Sequence, residues 1–175
     1  CEACSQVNVS DFLPLVDLQL DDVDRKHTLV EMRPSLEKCK RFITMHIDET
    51  DAVEGDSRVP PTCAVRCARG GKTTFVRELF RYLRVPSTLP GVYPIFISFN
   101  GSSNVNVVEG ESSSHRLYRT LAHALVQPDS DIQRELATGD RTCSATILRK
   151  YFQTAGKAVL LVDELNQLLG HAEGD

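Results

Sequence analysis

The stretch Val65–Phe75, VRCARGGKTTF, places two adjacent glycines, a lysine and two threonines in an order suited to gripping phosphate. That chemistry asks for a glycine, four residues of any type, then Gly-Lys-Ser/Thr, set between a strand and a helix. Here the positions read Arg66, Cys67, Ala68, Arg69, Gly70, Gly71, Lys72 and Thr73, complete except for an arginine where the first glycine belongs. From Arg69 onward the loop can wrap a phosphate: Gly70 and Gly71 bring no Cβ into the way, so backbone N–H groups can curl around oxygens, and the following helix N-terminus adds partial positive charge. Lys72 would reach the β and γ phosphates of a nucleotide, the Thr73 hydroxyl would bind Mg²⁺, and Thr74 would add a hydroxyl near the α phosphate. Loss of the first glycine threatens the turn out of the strand more than the phosphate contacts. The bland alternative is that GGKTT merely begins a helix.

A second constellation lies about ninety residues on. In Val159-Leu160-Leu161-Val162-Asp163-Glu164, four buried-type residues lead into two acids. This puts carboxylates at the carboxyl end of a strand, where open α/β sheets bind ligands. Asp163 would hold the magnesium shell and Glu164 would polarise an attacking water. Taken alone, the pair also reads as a strand ending in an acidic helix cap. Motif order, strand context and separation together favour a nucleotide site.

RCARGGKTT with VLLVDE resembles the P-loop NTPases of the additional-strand, catalytic-glutamate division, which includes AAA+ and STAND ATPases. The resemblance implies a three-layer P-loop sandwich around a parallel sheet, with ATP and Mg²⁺ as cofactors. It also implies that a strand stands between the two motifs, and VYPIFISF (92–99) occupies that place. Members similar to AAA+ end that strand on a polar residue that restrains the catalytic glutamate until a partner or ligand binds; Asn100 stands there, although it equally suits a turn with Gly101. More loosely, RGGKTT, ISFNG and LLVDELNQLL resemble the ATPase modules of crinkler-like proteins. The strand order of the division, 5-1-4-3-2, calls for a fourth strand after the acidic pair, and only eleven residues follow Glu164 here. The expectation is therefore a core over 61–175 that is truncated after the strand carrying Asp163, binding ATP weakly, hydrolysing it poorly and prone to aggregate.

Elements that would position these residues follow from the patterning. TCAVRC (62–67) is a strand candidate, and Thr73–Arg84 a helix with Phe75, Val76, Leu79, Phe80 and Leu83 on one face. Strands are expected over 92–99 and 157–164, the second a continuous apolar run of the kind buried on both faces of a parallel sheet. Between them, Ser112–Ser114 can cap a helix carrying Leu117, Tyr118, Leu121, Ala122 and Leu125, which Pro128 ends. Shorter helices are expected from Asp131 to Leu136 and from Ser144 through Phe152. Alternation of this kind predicts βαβ units. Nearer the N-terminus, Val16, Leu18 and Leu20 alternate as in a short strand, and Leu36, Cys39, Ile43 and Ile47 recur as on a helix starting near Pro34, where related ATPases place adenine contacts. DETDAVEGDSRVPP reads as a linker or surface loop.

Composition narrows the class. With 175 residues, 41% hydrophobic and 25% charged, the chain suits a globular domain, and no apolar run is long enough to span a membrane. Residues 1–60 hold 7 basic and 13 acidic side chains and residues 61–175 hold 13 and 11, so an acidic N-terminal segment precedes a nearly neutral one. Neither is basic enough to argue for nucleic acid by charge. Nothing signals an oxidising compartment, so the six cysteines read as free thiols and the chain as intracellular, cytoplasmic or nuclear. Cys1 and Cys4 have no second ligand pair to make a zinc site. Arg116 and Arg119 share a helix face, free to meet solvent or a partner's phosphate, and the five histidines have no site-forming spacing. The expected function is Mg-dependent ATP hydrolysis driving a conformational or signalling switch, with a protein partner or self-association compatible with it. The alternatives are a nucleotide-binding regulatory or interaction module without turnover, and a small-molecule kinase, which the glutamate after Asp163 disfavours.

Overall fold

Short apolar runs make strands here, and three-to-four-residue apolar spacing makes the helices that cover them. The computed structural model describes residues 5–18, 32–52, 71–99 and 105–169. In chain order these form β1 (Ser5–Gln6), α1 (Arg33–Ala52), α2 (Lys72–Arg84), β2 (Val92–Ser98), α3 (Ser113–Leu125), α4 (Asp131–Thr138), β3 (Arg141–Thr142), α5 (Ala145–Ala155), β4 (Lys157–Asp163) and α6 (Leu165–Leu169). The expected strand over 62–67, together with Arg69, Gly70 and Asn100, lies outside the described residues.

The chain is mixed α/β, and among the described residues the strands form two small parallel pairs, β1 with β3 and β2 with β4. β2 and β4 run in register from Val92 opposite Lys157 to Ser98 opposite Asp163. Their side chains alternate between two apolar clusters. Ile95, Ile97, Phe99, Ala158 and Val162 join Leu121, Leu125, Leu148 and Tyr151 from α3 and α5. Val92, Phe96, Val159 and Leu161 join Phe75, Leu79, Phe80 and Leu83 from α2 and Leu36, Cys39, Ile43 and Ile47 from α1. The sheet is thus covered by helices on both faces.

Edge chemistry fits this pairing. Phe99 N–H donates to the Asp163 carbonyl at 3.1 Å. Because successive amides point to opposite sides of a strand, Pro94, five residues before Phe99, turns its nitrogen away from β4. The donor that proline lacks is missing from the outer side of β2, where a strand edge tolerates it.

The N-terminal segment is built into the first cluster. Val7, Phe12, Leu15 and Leu18 are buried there. Val7 N–H donates to the Thr142 carbonyl at 3.1 Å and Leu13 N–H to the Leu125 carbonyl at 2.8 Å, while Tyr151 Oη donates to the Leu13 carbonyl at 2.6 Å. Arg84 at the end of α2 holds the Leu18 carbonyl.

Three sequence expectations change. Leu15–Asp17 forms a 3-10 turn where alternation of Val16 and Leu18 suggested a strand. Pro14 sets the turn, Asp17 and Leu18 donate back to the carbonyls of Pro14 and Leu15, and Leu15 and Leu18 go inward while Val16 stays exposed. β4 is not buried on both faces along its length: Leu160 is 41% exposed, beside a hollow of about 290 Å³ lined by Ile95, Leu121, Phe152, Gly156, Ala158 and Leu160. Helix α1 also extends to Ala52, through the start of the stretch read as a loop.

Candidate functional site

The strand register decides which side chains meet at the carboxyl end of the sheet. Ser98 shares parity with Val92 and Phe96, and Asp163 with Val159 and Leu161, so both point to the face that α2 covers. Asp163 is only 3% exposed, and Ser98 Oγ donates to its Oδ2 at 3.3 Å. A buried carboxylate is costly unless a donor or a cation compensates it. Its place at the end of β4 therefore makes it a strong candidate for holding a cation.

The direction of α2 follows from its contacts. The Arg77 guanidinium lies over the Phe96 ring at 5.8 Å, and the Phe80 and Phe96 rings meet edge-on at 6.5 Å. The chain leaves α2 at Arg84 and turns back into β2 at Val92, so α2 runs opposite to the strands. Lys72 lies five residues before Arg77, about 7.5 Å along a helix, and Ser98 two residues beyond Phe96, about 6.6 Å along a strand. The start of α2 is thus level with the end of the strands that carries Ser98 and Asp163.

That start differs from those of α3, α4 and α5. Ser112, Ser130 and Ser144 cap α3, α4 and α5 by accepting from the amides of His115, Gln133 and Ile147. At α2 the cap position is Gly71, with φ 71° and no side-chain cap bond, a conformation that suits glycine. The amides of the first turn thus lack a capping oxygen from the chain's own cap residue. Lys72, Thr73 and Thr74 occupy this turn and are half-buried.

Glu164 follows β4 with φ 57°, a left-handed backbone that is costly for a residue with a Cβ. Its carbonyl accepts from Gln167 N–H at 2.9 Å, starting the single-turn helix α6. Ser113 Oγ donates to the Leu168 carbonyl at 3.0 Å and Arg116 Nη1 to the Gln167 carbonyl at 3.1 Å.

The two arginines of α3 correct the sequence reading. Neither faces solvent: Arg116 is 5% and Arg119 1% exposed. Arg119 donates from Nε and Nη2 to the two Glu111 oxygens at 2.7 and 2.6 Å, and to the carbonyls of Leu136 and Asn106 at 2.5 and 2.8 Å. It organises the loop before α3. Arg116 lies over the Phe99 ring at 5.5 Å, and burial lowers its pKa. Sequence reasoning missed Ser98 as well; its signal is a hydroxyl at the end of the strand paired with Asp163.

The donors offered here are hard oxygens. Mg²⁺ takes hard oxygens, usually one or two carboxylates with waters and substrate phosphates. Asp163 and the Thr73 hydroxyl offer such oxygens at one end of the sheet. Among the described residues no group of three or more His, Cys, Asp or Glu forms an all-protein cage. No described helix is long and apolar enough to cross a membrane. No family model matches the chain, and comparisons with curated proteins and with solved structures return no match.

Proposed function

We propose that the chain is an ATP-binding P-loop module that hydrolyses its nucleotide with Mg²⁺ to drive a conformational or signalling switch. The observation that carries this reading is the register of β2 and β4, which sets buried Asp163 and its partner Ser98 on the α2 side, level with Gly71, Lys72 and Thr73. The parallel neighbours support the finer fold, a P-loop three-layer sandwich: in the order 5-1-4-3-2 the strand between the motifs pairs with the strand carrying Asp163, and β2 does so. An edge place for β2 accords with Pro94 turning its nitrogen outward.

The residues divide the work. Arg69, Gly70 and Gly71 give the phosphate loop, Lys72 reaches the β and γ phosphates, and Thr74 adds a hydroxyl near the α phosphate. Thr73 and Asp163 hold Mg²⁺, whose charge offsets that of the phosphates when it is bound. Ser98 fixes the Asp163 carboxylate by its hydrogen bond. Glu164 takes up the proton of the attacking water, and Asn100 restrains Glu164 until a partner or ligand binds. An intracellular setting, cytoplasmic or nuclear, belongs to the same proposal, and the free thiols of Cys39 and Cys143 accord with it.

The test replaces Glu164 by Gln. ATP affinity is expected to stay within about twofold of the parent while turnover falls by about a hundredfold or more, the size of a general-base contribution. Turnover unaffected by Glu164→Gln contradicts the assigned base. Binding without turnover in the parent itself would leave a regulatory nucleotide switch.

A further inference from the structure

Glu164 carries a left-handed backbone that its own sequence does not favour, so neighbouring contacts must hold it. They form a closed circuit. Phe99 N–H donates to the Asp163 carbonyl at 3.1 Å, and Gln167 N–H to the Glu164 carbonyl at 2.9 Å. The Gln167 carbonyl in turn accepts from Arg116 Nη1 at 3.1 Å, and the same guanidinium returns to lie over the Phe99 ring at 5.5 Å. Ser113, one turn earlier on α3, holds the next carbonyl of α6, that of Leu168, at 3.0 Å. Leu168 is buried in the cluster that α3 helps to form.

We propose that Arg116 and Ser113 are positioning residues for Glu164: by gripping the last carbonyls of α6 from the first turn of α3, they fix the direction in which the Glu164 carboxylate leaves the sheet. The proposal rests on the hydrolytic reading of the site and adds residues that neither phosphate motif contains. Arg116 suits the task because it is 5% exposed and its planar guanidinium can stack on Phe99 while donating to Gln167. Its Nε has no hydrogen-bond partner among the described residues, so a buried donor is left unmade there. That cost is tolerated because the remaining contacts join α3, the end of β2 and α6 at a single point. Movement of α3 against the sheet would reach Glu164 by the same route.

The experiment compares Arg116→Gln, Arg116→Lys and Ser113→Ala with the parent by three readouts: amide exchange of Gln167, Mg-ATP affinity, and single-turnover hydrolysis. In Arg116→Gln, exchange at Gln167 is expected to quicken by about tenfold, since local opening of α6 is no longer opposed. Hydrolysis should fall by about tenfold to a hundredfold, the cost of a small misplacement at a reacting centre, with ATP affinity within about twofold. Arg116→Lys keeps a donor for the Gln167 carbonyl and should recover at least half of the lost rate on a logarithmic scale. Ser113→Ala, a mild change, should shift exchange and rate in the same direction by about threefold, and it decides the matter if Arg116→Gln does not fold. Faster exchange with an unchanged rate overturns the proposal. So do affinity and rate falling in proportion, no recovery in Arg116→Lys, or a parent that binds Mg-ATP without turning it over. Equal Mg-ATP binding by the parent and Lys72→Ala marks a different failure, that of the nucleotide reading itself, and removes this inference with it.

Discussion

Asp163 and Arg119 are the two most consequential charges inside the described molecule, and they are handled differently. Asp163 has a hydroxyl partner, and the remaining lone pairs of its carboxylate could take a cation; Arg119 is saturated by Glu111 and three carbonyls. Removing the Ser98 hydroxyl should therefore act on metal use. Ser98→Ala is expected to raise the Mg²⁺ concentration for half-maximal nucleotide binding by about three- to tenfold, the worth of one ordinary hydrogen bond, as read by a magnesium titration at fixed ATP. Arg119→Met should instead cost about 3–5 kcal/mol of stability by leaving the Glu111 side chain, 10% exposed, without its partner, and Glu111→Gln in the same chain should restore part of it, as read by urea unfolding. Burial also pushes the Cys143 thiol from 9.0 and the Tyr151 hydroxyl from 10.0 up to about 12. The native state therefore keeps both protons to higher pH than the unfolded chain. Their contribution is complete below pH 9.0 and is lost as pH rises towards about 12. Urea midpoints should fall between about pH 9 and about pH 12, and Tyr151→Phe should flatten the upper part of that fall. Asp163 was legible from its place after an apolar run. Arg116 and Arg119 were not, because the carbonyls that receive them come from residues 106, 136, 137 and 167, outside helix α3 and 13 to 51 positions away.

The regular elements were the most legible. The three-to-four-residue spacing of Phe75, Leu79, Phe80 and Leu83 is the buried face of α2, and the serines at 112, 130 and 144 cap the helices they precede. β2 and β4 were readable as runs of apolar and β-branched residues, but pairing between strands with 58 residues between Ser98 and Lys157 leaves no local sign. The segment before Leu18 misled for a local reason: spacing of three between Leu15 and Leu18 defines the buried side, and spacing of two between Val16 and Leu18 is incidental. At this scale α2 makes a clear prediction. Gly71→Val places a β-branched residue at φ 71° and should weaken ATP binding by about tenfold or more while moving the thermal midpoint only a few degrees, as read by a nucleotide titration beside a melting curve.

At the scale of the whole molecule, charge separates the first 60 residues from the rest, yet the described part of that segment supplies both clusters. Val7, Phe12, Leu15 and Leu18 complete one and helix α1 the other. At about 1.5–3 kcal/mol for each buried apolar side chain, those four contribute about 6–12 kcal/mol, comparable with the whole stability of a domain at about 5–15 kcal/mol. Deleting residues 1–18 should therefore abolish cooperative thermal unfolding by calorimetry, and a retained sharp transition would mean that this segment packs without stabilising. A nucleotide site would lie at the other end of the sheet, where register and helix direction set Lys72 level with Asp163. Titrating Mg-ATP into the parent and into Lys72→Ala tests it most directly. Saturable binding by the parent is expected, with affinity at least about tenfold weaker in Lys72→Ala, the loss of a charged hydrogen bond to phosphate; equal affinities, or no binding by the parent, would rule out a phosphate grip at Lys72.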